Sequence, residues 1–164
     1  MRAVELSAVL KSVDVSCSAR DAFAAFTDEI RAWWPMATHT RAKTAEGQKT
    51  VRVTIEPRVG GRVYETLADG VELDWGEVLA YVPGTLIELQ WRMGRPAEQG
   101  TLVSVRFEPL TEKSCRVTLT HENWERVGEE AERMRKSYDN GWATVFEVGF
   151  AIHAGACEGG SHDY

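Results

Sequence analysis

The chain has 164 residues, 43% of them hydrophobic and 27% charged, which suits one domain with a buried core. This balance excludes a disordered tail protein, a collagen-like chain and a disulfide miniprotein. Nineteen Lys and Arg against 25 Asp and Glu leave a net charge of −6, which argues against a surface built to track nucleic-acid phosphates.

Residues 4–15 read as a strand, with Val4, Leu6, Ala8 and Leu10 on one face and Val13 and Val15 after a change of phase that suggests a bulge. Ser18 is a candidate N-cap, with Asp21 three residues on, and Ala22, Phe23 and Phe26 supply a helical stripe. A second short helix over residues 28–34 ends at Pro35, which disfavours helix in the residue before it. From Thr50 the period changes to two. Strands are expected from Thr50, over 62–67, 73–82, 86–93, 101–110 and 114–124, separated by Gly60-Gly61, Asp69-Gly70, Pro83-Gly84, residues 94–100 and residues 111–113. Seven strands, six of them consecutive, predict an antiparallel meander. Helical period then returns. Trp142, Val145, Phe146, Gly149, Ile152 and His153 share one face, which Met134 and Tyr138 extend upstream. A single domain over residues 1–157 and a disordered tail over 158–164 are expected.

Cys17, Cys115 and Cys157 are widely spaced and odd in number, so no disulfide framework is expected and a reducing cytoplasm is the simplest setting. The first five residues lack an apolar signal core, and no run reaches the roughly 20 apolar residues of a membrane span. His39, His121, His153 and His162 form no metal-ligand pattern, and no phosphate-binding loop follows a strand, so neither metal nor cofactor is expected.

A long antiparallel sheet cannot bury its concave face on itself, and one C-terminal helix laid across it is a stable solution. Gly141, Gly149 and Gly155 strip side chains from that helix, at about 1 kcal/mol each relative to Ala in a helix interior. Close packing against strands or room for a ligand would offset the cost. Tyr64, Trp75, Trp91, Phe107, His121, Trp142 and Phe146 are the candidate lining of a cavity there, because aromatic faces suit a flat or amphipathic ligand. Glu77, by parity with Leu73, Trp75 and Leu79 unless a bulge at Gly76 flips it, and His121, by parity with Val117 and Leu119, are the candidate acid–base residues. Glu65 and Arg62 are expected on a solvated ladder. Trp33 and Trp34 are candidates to cap the core edge or to gate the cavity.

Residues 13–27, the pair Trp33-Trp34 and the turn Glu56-Pro57 through Gly60-Gly61 to Tyr64 resemble the SRPBCC superfamily of START-like, helix-grip proteins. So do Trp75-Gly76-Glu77, Leu89 with Trp91, Val103 with Val105 and Phe107, residues 117–121, and Gly141-Trp142. The resemblance covers about residues 5–155. It is most similar to the group homologous to the C-terminal domain of the heat-shock-protein-ninety ATPase activator. It implies an α+β helix-grip fold: a curved seven-stranded antiparallel sheet wrapped on a long C-terminal helix, with two short helices after the first strand. Three functions follow as expectations. One is a binding module for an apolar or aromatic small molecule. The others are a cyclase- or dehydratase-like enzyme working in the same cavity, and a co-chaperone-like domain acting on a heat-shock ATPase. A homodimer is left open.

Overall fold

The computed structural model describes residues 6–42 and 49–155, so the proposed tail and the first residues of the proposed first strand lie outside the described residues. Strand β1 (Val9–Val15) is followed by α1 (Ala19–Thr27) and α2 (Ile30–Trp33). Then come β2 (Thr50–Ile55), β3 (Arg62–Leu67), β4 (Glu72–Val82), β5 (Leu86–Trp91), β6 (Thr101–Thr111) and β7 (Ser114–Glu122). The chain closes with 3-10 turns over Trp124–Glu130, helix α3 (Ala131–Trp142), a π-helical segment Ala143–Phe150 and helical residues 151–155. All seven strands form one antiparallel sheet in the order β1-β7-β6-β5-β4-β3-β2. This is the expected α+β helix-grip architecture.

Local chemistry sets the short helices. The Ser18 hydroxyl accepts the Asp21 backbone N–H at 3.1 Å, closing the first turn of α1. Ala22, Phe23 and Phe26 then turn inward, and Phe23 and Phe26 both meet Phe107 edge-on. Helix α2 stops at Trp33, because Trp34 before Pro35 is extended.

Strand β1 departs from the expected phase. Its pairing with β7 runs without a break from Val9↔His121 to Val15↔Cys115, so it carries no bulge. Val9, Lys11, Val13 and Val15 alternate inward, while Leu10 is 63% exposed. The inward position at Lys11 is tolerable because its stem lies along apolar surface while its ammonium reaches Asp139 at 2.9 Å.

The irregular strand is β4. Val63 faces Gly76 but Tyr64 faces Asp74, so Trp75 and Gly76 together oppose one step of β3. The bulge turns both toward the core and leaves Glu77 beside Arg62 and Gln90 on the outer face. A second register shift between Val78 and Ala80 exposes Leu79. Gly76 is obligatory: a Cβ there would lie 1.7 Å from the Gln90 carbonyl oxygen.

The closing helix also changes period. Residues 143–150 form π-helical turns, with i→i+5 hydrogen bonds. Phe146 and Phe150 stack in parallel at 5.3 Å, and Ala154 follows them into the core. Ile152, expected on that face from an α-helical period, is 70% exposed, and His153 bonds Glu29 at 2.7 Å. Gly149 packs closely, since a Cβ would sit 3.4 Å from the Trp33 carbonyl.

Two further expectations are corrected by burial and bonding. Glu65 lies on no solvated ladder but is fully buried. Cys17 is disulfide-bonded, so cysteine usage does not argue for a reducing compartment. Cys115 is free and buried, its thiol pushed up to about 11 by burial first and by the Asp14 charge second.

His121 sits in the core at 0% exposure with both ring nitrogens engaged. Trp142 donates its indole N–H to Nδ1 at 3.0 Å. Nε2 therefore carries the proton and donates to the Thr101 hydroxyl at 2.7 Å, which in turn donates to the Trp91 carbonyl at 3.2 Å. Trp124 and Tyr138 flank the ring at 4.2 and 4.8 Å between centroids. Burial, with the Arg95 charge a second cause, pushes the imidazole down to about 3 from its ordinary 6.5.

Two outcomes follow for stability. Gly76→Ala should cost about 3 kcal/mol or more, because the obstacle is backbone rather than a flexible side chain. Urea unfolding reads it, and an unchanged midpoint would refute the assignment. The second concerns acid. Between the unfolded and folded values of His121 the unfolded chain binds one more proton, so stability is full above pH 6.5 and falls as the pH drops towards 3. The slope from this residue is about 1.4 kcal/mol per pH unit. Urea titrations from pH 7 to pH 5 should show it, and His121→Gln should flatten it while retaining a donor and an acceptor. Equal slopes in the two proteins would contradict a buried neutral imidazole.

Candidate functional site

A concavity beside the aromatic core opens between α3 and the loops facing it, with a volume of about 580 Å³. Trp34, Trp91, Trp142, Met93, Met134 and Val145 supply its apolar surface. Thr38, His39, Thr40, Glu130, Arg133, Ser137 and Tyr138 supply the polar part of its lining, and Gly141 completes it. A Cβ on Gly141 would meet only the His39 ring, at 3.9 Å. This glycine therefore leaves space beside the groove rather than permitting helix–strand contact.

The loops are held by the residues beneath them. The buried Glu65 carboxylate accepts the backbone N–H groups of Arg41 at 2.7 Å and Ala42 at 3.0 Å and the Thr50 hydroxyl at 2.6 Å. The Trp75 indole N–H is its fourth donor. Trp34 donates its indole N–H to the His39 carbonyl at 2.8 Å, and His39 Nδ1 meets the Thr38 hydroxyl at 2.7 Å. On the other side, Met93 adopts a left-handed backbone, φ 51°, which is uncommon for a residue with a Cβ. Both Arg92 and Met93 donate their backbone N–H to the Trp75 carbonyl, and this pairing fixes the turn that presents the Met93 side chain. A thioether is polarisable and adapts its shape, which suits the wall of a ligand site.

Every indole N–H in the molecule is already satisfied internally. Trp33 donates to the Ala25 carbonyl, Trp34 to that of His39, Trp75 to Glu65, Trp91 to the Tyr138 hydroxyl, Trp124 to the His121 carbonyl and Trp142 to His121 Nδ1. Trp34 also contacts the rings of Trp75, Trp91 and Trp142 at centroid separations of 5.0–6.1 Å. The floor is thus a rigid aromatic block that offers surface and edges to a ligand but no free N–H.

Of the lining proposed from sequence, Trp91 and Trp142 reach the groove. Trp75 and Phe146 are fully buried beneath it, and Phe107 packs under α1. Tyr64 lies on the outer face, with the Arg62 guanidinium 4.0 Å over its ring. His121 lies behind Tyr138 and Trp142 with no free nitrogen, and Glu77 faces away because of the β4 bulge. The two acid–base candidates therefore share no site. Sequence reasoning missed Met93, His39 and Tyr138 as groove residues. Met134 and Tyr138, four residues apart, did lie on the recognised apolar face of the last helix; the turns around Trp34-Pro35 and Met93-Gly94 gave no periodic signal. Among the described residues no group of three or more His, Cys, Asp or Glu gathers as metal ligands, and no helix is long and apolar enough to cross a membrane.

Comparison with known proteins places this geometry. A search of the curated proteins finds no significant match. Among solved structures, an anthrahydroquino-γ-pyrone synthase, Txn09, is 30% identical, with 91% of this chain and 97% of that chain covered and a TM-score of 0.61. CalC, a self-sacrificing resistance protein from Micromonospora echinospora, is 24% identical over 89% of this chain and 92% of that one, with a TM-score of 0.61. Aha1 from Colwellia psychrerythraea, solved as a dimer, is 19% identical over 92% and 98%, also with a TM-score of 0.61. The last two likenesses concern the fold alone. The model of the family described as activator of Hsp90 ATPase homolog 1-like protein matches residues 16–148, and the chain belongs to that family, within the helix-grip superfamily.

Proposed function

We propose that the protein binds a flat apolar or amphipathic aromatic molecule in the groove between α3 and the loops carrying Trp34–Thr40 and Met93. The observation that carries this reading is the groove itself: about 580 Å³, walled by three ordered indoles and two methionines and left open at Gly141. The likeness to Txn09, whose name denotes a synthase of a polycyclic aromatic product, supports the same class of ligand. The cyclase- or dehydratase-like alternative loses Glu77 and His121 as its machinery and would have to rest on Tyr138 and His39. A small molecule, rather than a chaperone, is the partner this reading assigns, with no cofactor required. Native mass spectrometry reads both a co-purifying ligand and any self-association.

Quenching of tryptophan fluorescence by an added anthraquinone tests binding directly, because Trp34, Trp91 and Trp142 would contact it. Saturable quenching is the expected result. Gly141→Leu should fill the groove and abolish it. Gly141→Ala should be stabilised by about 0.5–1 kcal/mol, since the new methyl meets open space and removes a helix-interior glycine. Quenching that does not saturate, or that survives Gly141→Leu unchanged, would overturn the reading.

A further inference from the structure

An unbalanced pair of polar groups stands at the groove, Tyr138 on its wall and Arg95 beside Tyr138 but outside the lining. Tyr138 lies on the wall, and its hydroxyl oxygen accepts the Trp91 indole N–H at 3.0 Å. Its own hydrogen has no acceptor among the described residues. The Arg95 guanidinium stands beside the same hydroxyl. Arg95 in turn has no carboxylate partner among the described residues: Nε is buried with no hydrogen bond, and one terminal nitrogen meets only the Trp91 and Gln99 carbonyls, each at 3.5 Å. A buried donor without an acceptor and a part-buried cation without an anion both cost free energy until a complementary group arrives.

The other charged or titratable groups facing this point do not supply that complement. His121, packed on the Tyr138 ring, is neutral with both nitrogens engaged. Glu130 is engaged by Arg133 at the exposed rim. His39, on the opposite loop, is bonded to Thr38.

Resting on the reading of an aromatic-ligand groove, we infer that the site selects aromatic molecules bearing an acidic hydroxyl, a phenol or enol conjugated to a ring carbonyl, and holds them as the oxyanion. Tyr138 donates its hydrogen to the anionic oxygen. Arg95, through Tyr138 and at short range, supplies the balancing charge, and the proton lost by the ligand goes to water. The indole N–H groups contribute nothing here, since all are engaged, so the polar selection falls on this pair.

A matched pair of probes tests this in the full-length protein: 1,2-dihydroxyanthraquinone, whose ionisation changes its visible spectrum, and its dimethyl ether, which cannot ionise. Binding should lower the ionisation midpoint of the hydroxy dye by about one pH unit, a tenfold preference for the anion. Tyr138→Phe keeps the ring and should lose both the shift and the tenfold preference, with the ether bound as before. Arg95→Met should lose the shift, and Arg95→Lys should restore most of it. A bound dye that ionises as it does in water, or variants that change both probes equally, would overturn the inference while leaving the aromatic groove intact. If neither probe binds, the groove reading itself falls and this selection falls with it.

Discussion

The passage of the Gly76 backbone against the Gln90 carbonyl is the contact on which the shape of this molecule depends. It can form only where no side chain intervenes, and it forms inside a bulge that puts two successive residues, Trp75 and Gly76, on the same side of β4. A bulge bends its strand and increases the local twist. With the second irregularity at Leu79, it lets the sheet curve around the closing helix instead of lying flat beneath it. The same step turns the Trp75 indole towards Glu65 and sends Glu77 outward to Arg62. One backbone approach thus decides which aromatic joins the core and which carboxylate does not.

Glu65 extends that decision to the groove. A carboxylate at 0% exposure is costly unless donors surround it, and among the described residues four do. Two of these are backbone N–H groups of residues 41 and 42, so the loop that began at Trp34 is tied to the sheet at its far end. Arg41 continues the tie: its guanidinium donates to the Asp74 carbonyl at 2.9 Å and lies over Gly94, where a Cβ would come within 2.6 Å of it. Gly94 follows Met93, the strained residue on the opposite lip. Both lips of the groove therefore hang from one small region of β3 and β4, and the distance between them is set by the sheet rather than by loop flexibility.

The strands and their turns were legible because a period of two and paired turn residues are local signals, and the sheet order follows from consecutive hairpins. What failed were inferences about which way a residue points after an irregularity. Leu10 carried the apolar phase on paper, yet Lys11 is the inward residue, because its long stem can bury while its charge escapes to Asp139. Ile152 fitted an α-helical stripe, but π-helical turns shifted the buried face to Phe150 and Ala154. Glu77 was assigned by parity across the bulge, Tyr64 by its place in the aromatic inventory, and both lie on the outer face. Glu65 was missed because nothing in an alternating strand distinguishes a buried carboxylate whose donors come from residues 41, 42, 50 and 75. Of the aromatic inventory, Phe107 and Phe146 fill the middle of the sheet, and the groove lies where Trp34, Trp91 and Trp142 meet.

That location has a consequence for recognition. Six tryptophans in 164 residues could supply six hydrogen-bond donors to a ligand, yet each indole N–H is bonded within the fold, two of them to His121. The imidazole is neutral so that Nδ1 can accept from Trp142 while Trp124 uses its carbonyl, and the cluster of rings is thereby cross-linked by polar contacts that leave no orientation free. Rings held in this way lose little entropy when a ligand stacks on them, which favours affinity for any flat apolar body. They discriminate poorly among such bodies, because a ring face or edge offers no directional contact. Discrimination must come from polar groups whose capacity is not exhausted, and a hydroxyl with one spare hydrogen, backed by a cation with no carboxylate partner among the described residues, is such a group. On the proposed reading the two tasks are separate: the indoles would hold the ligand's plane, and the tyrosine on the helix above them would read its edge.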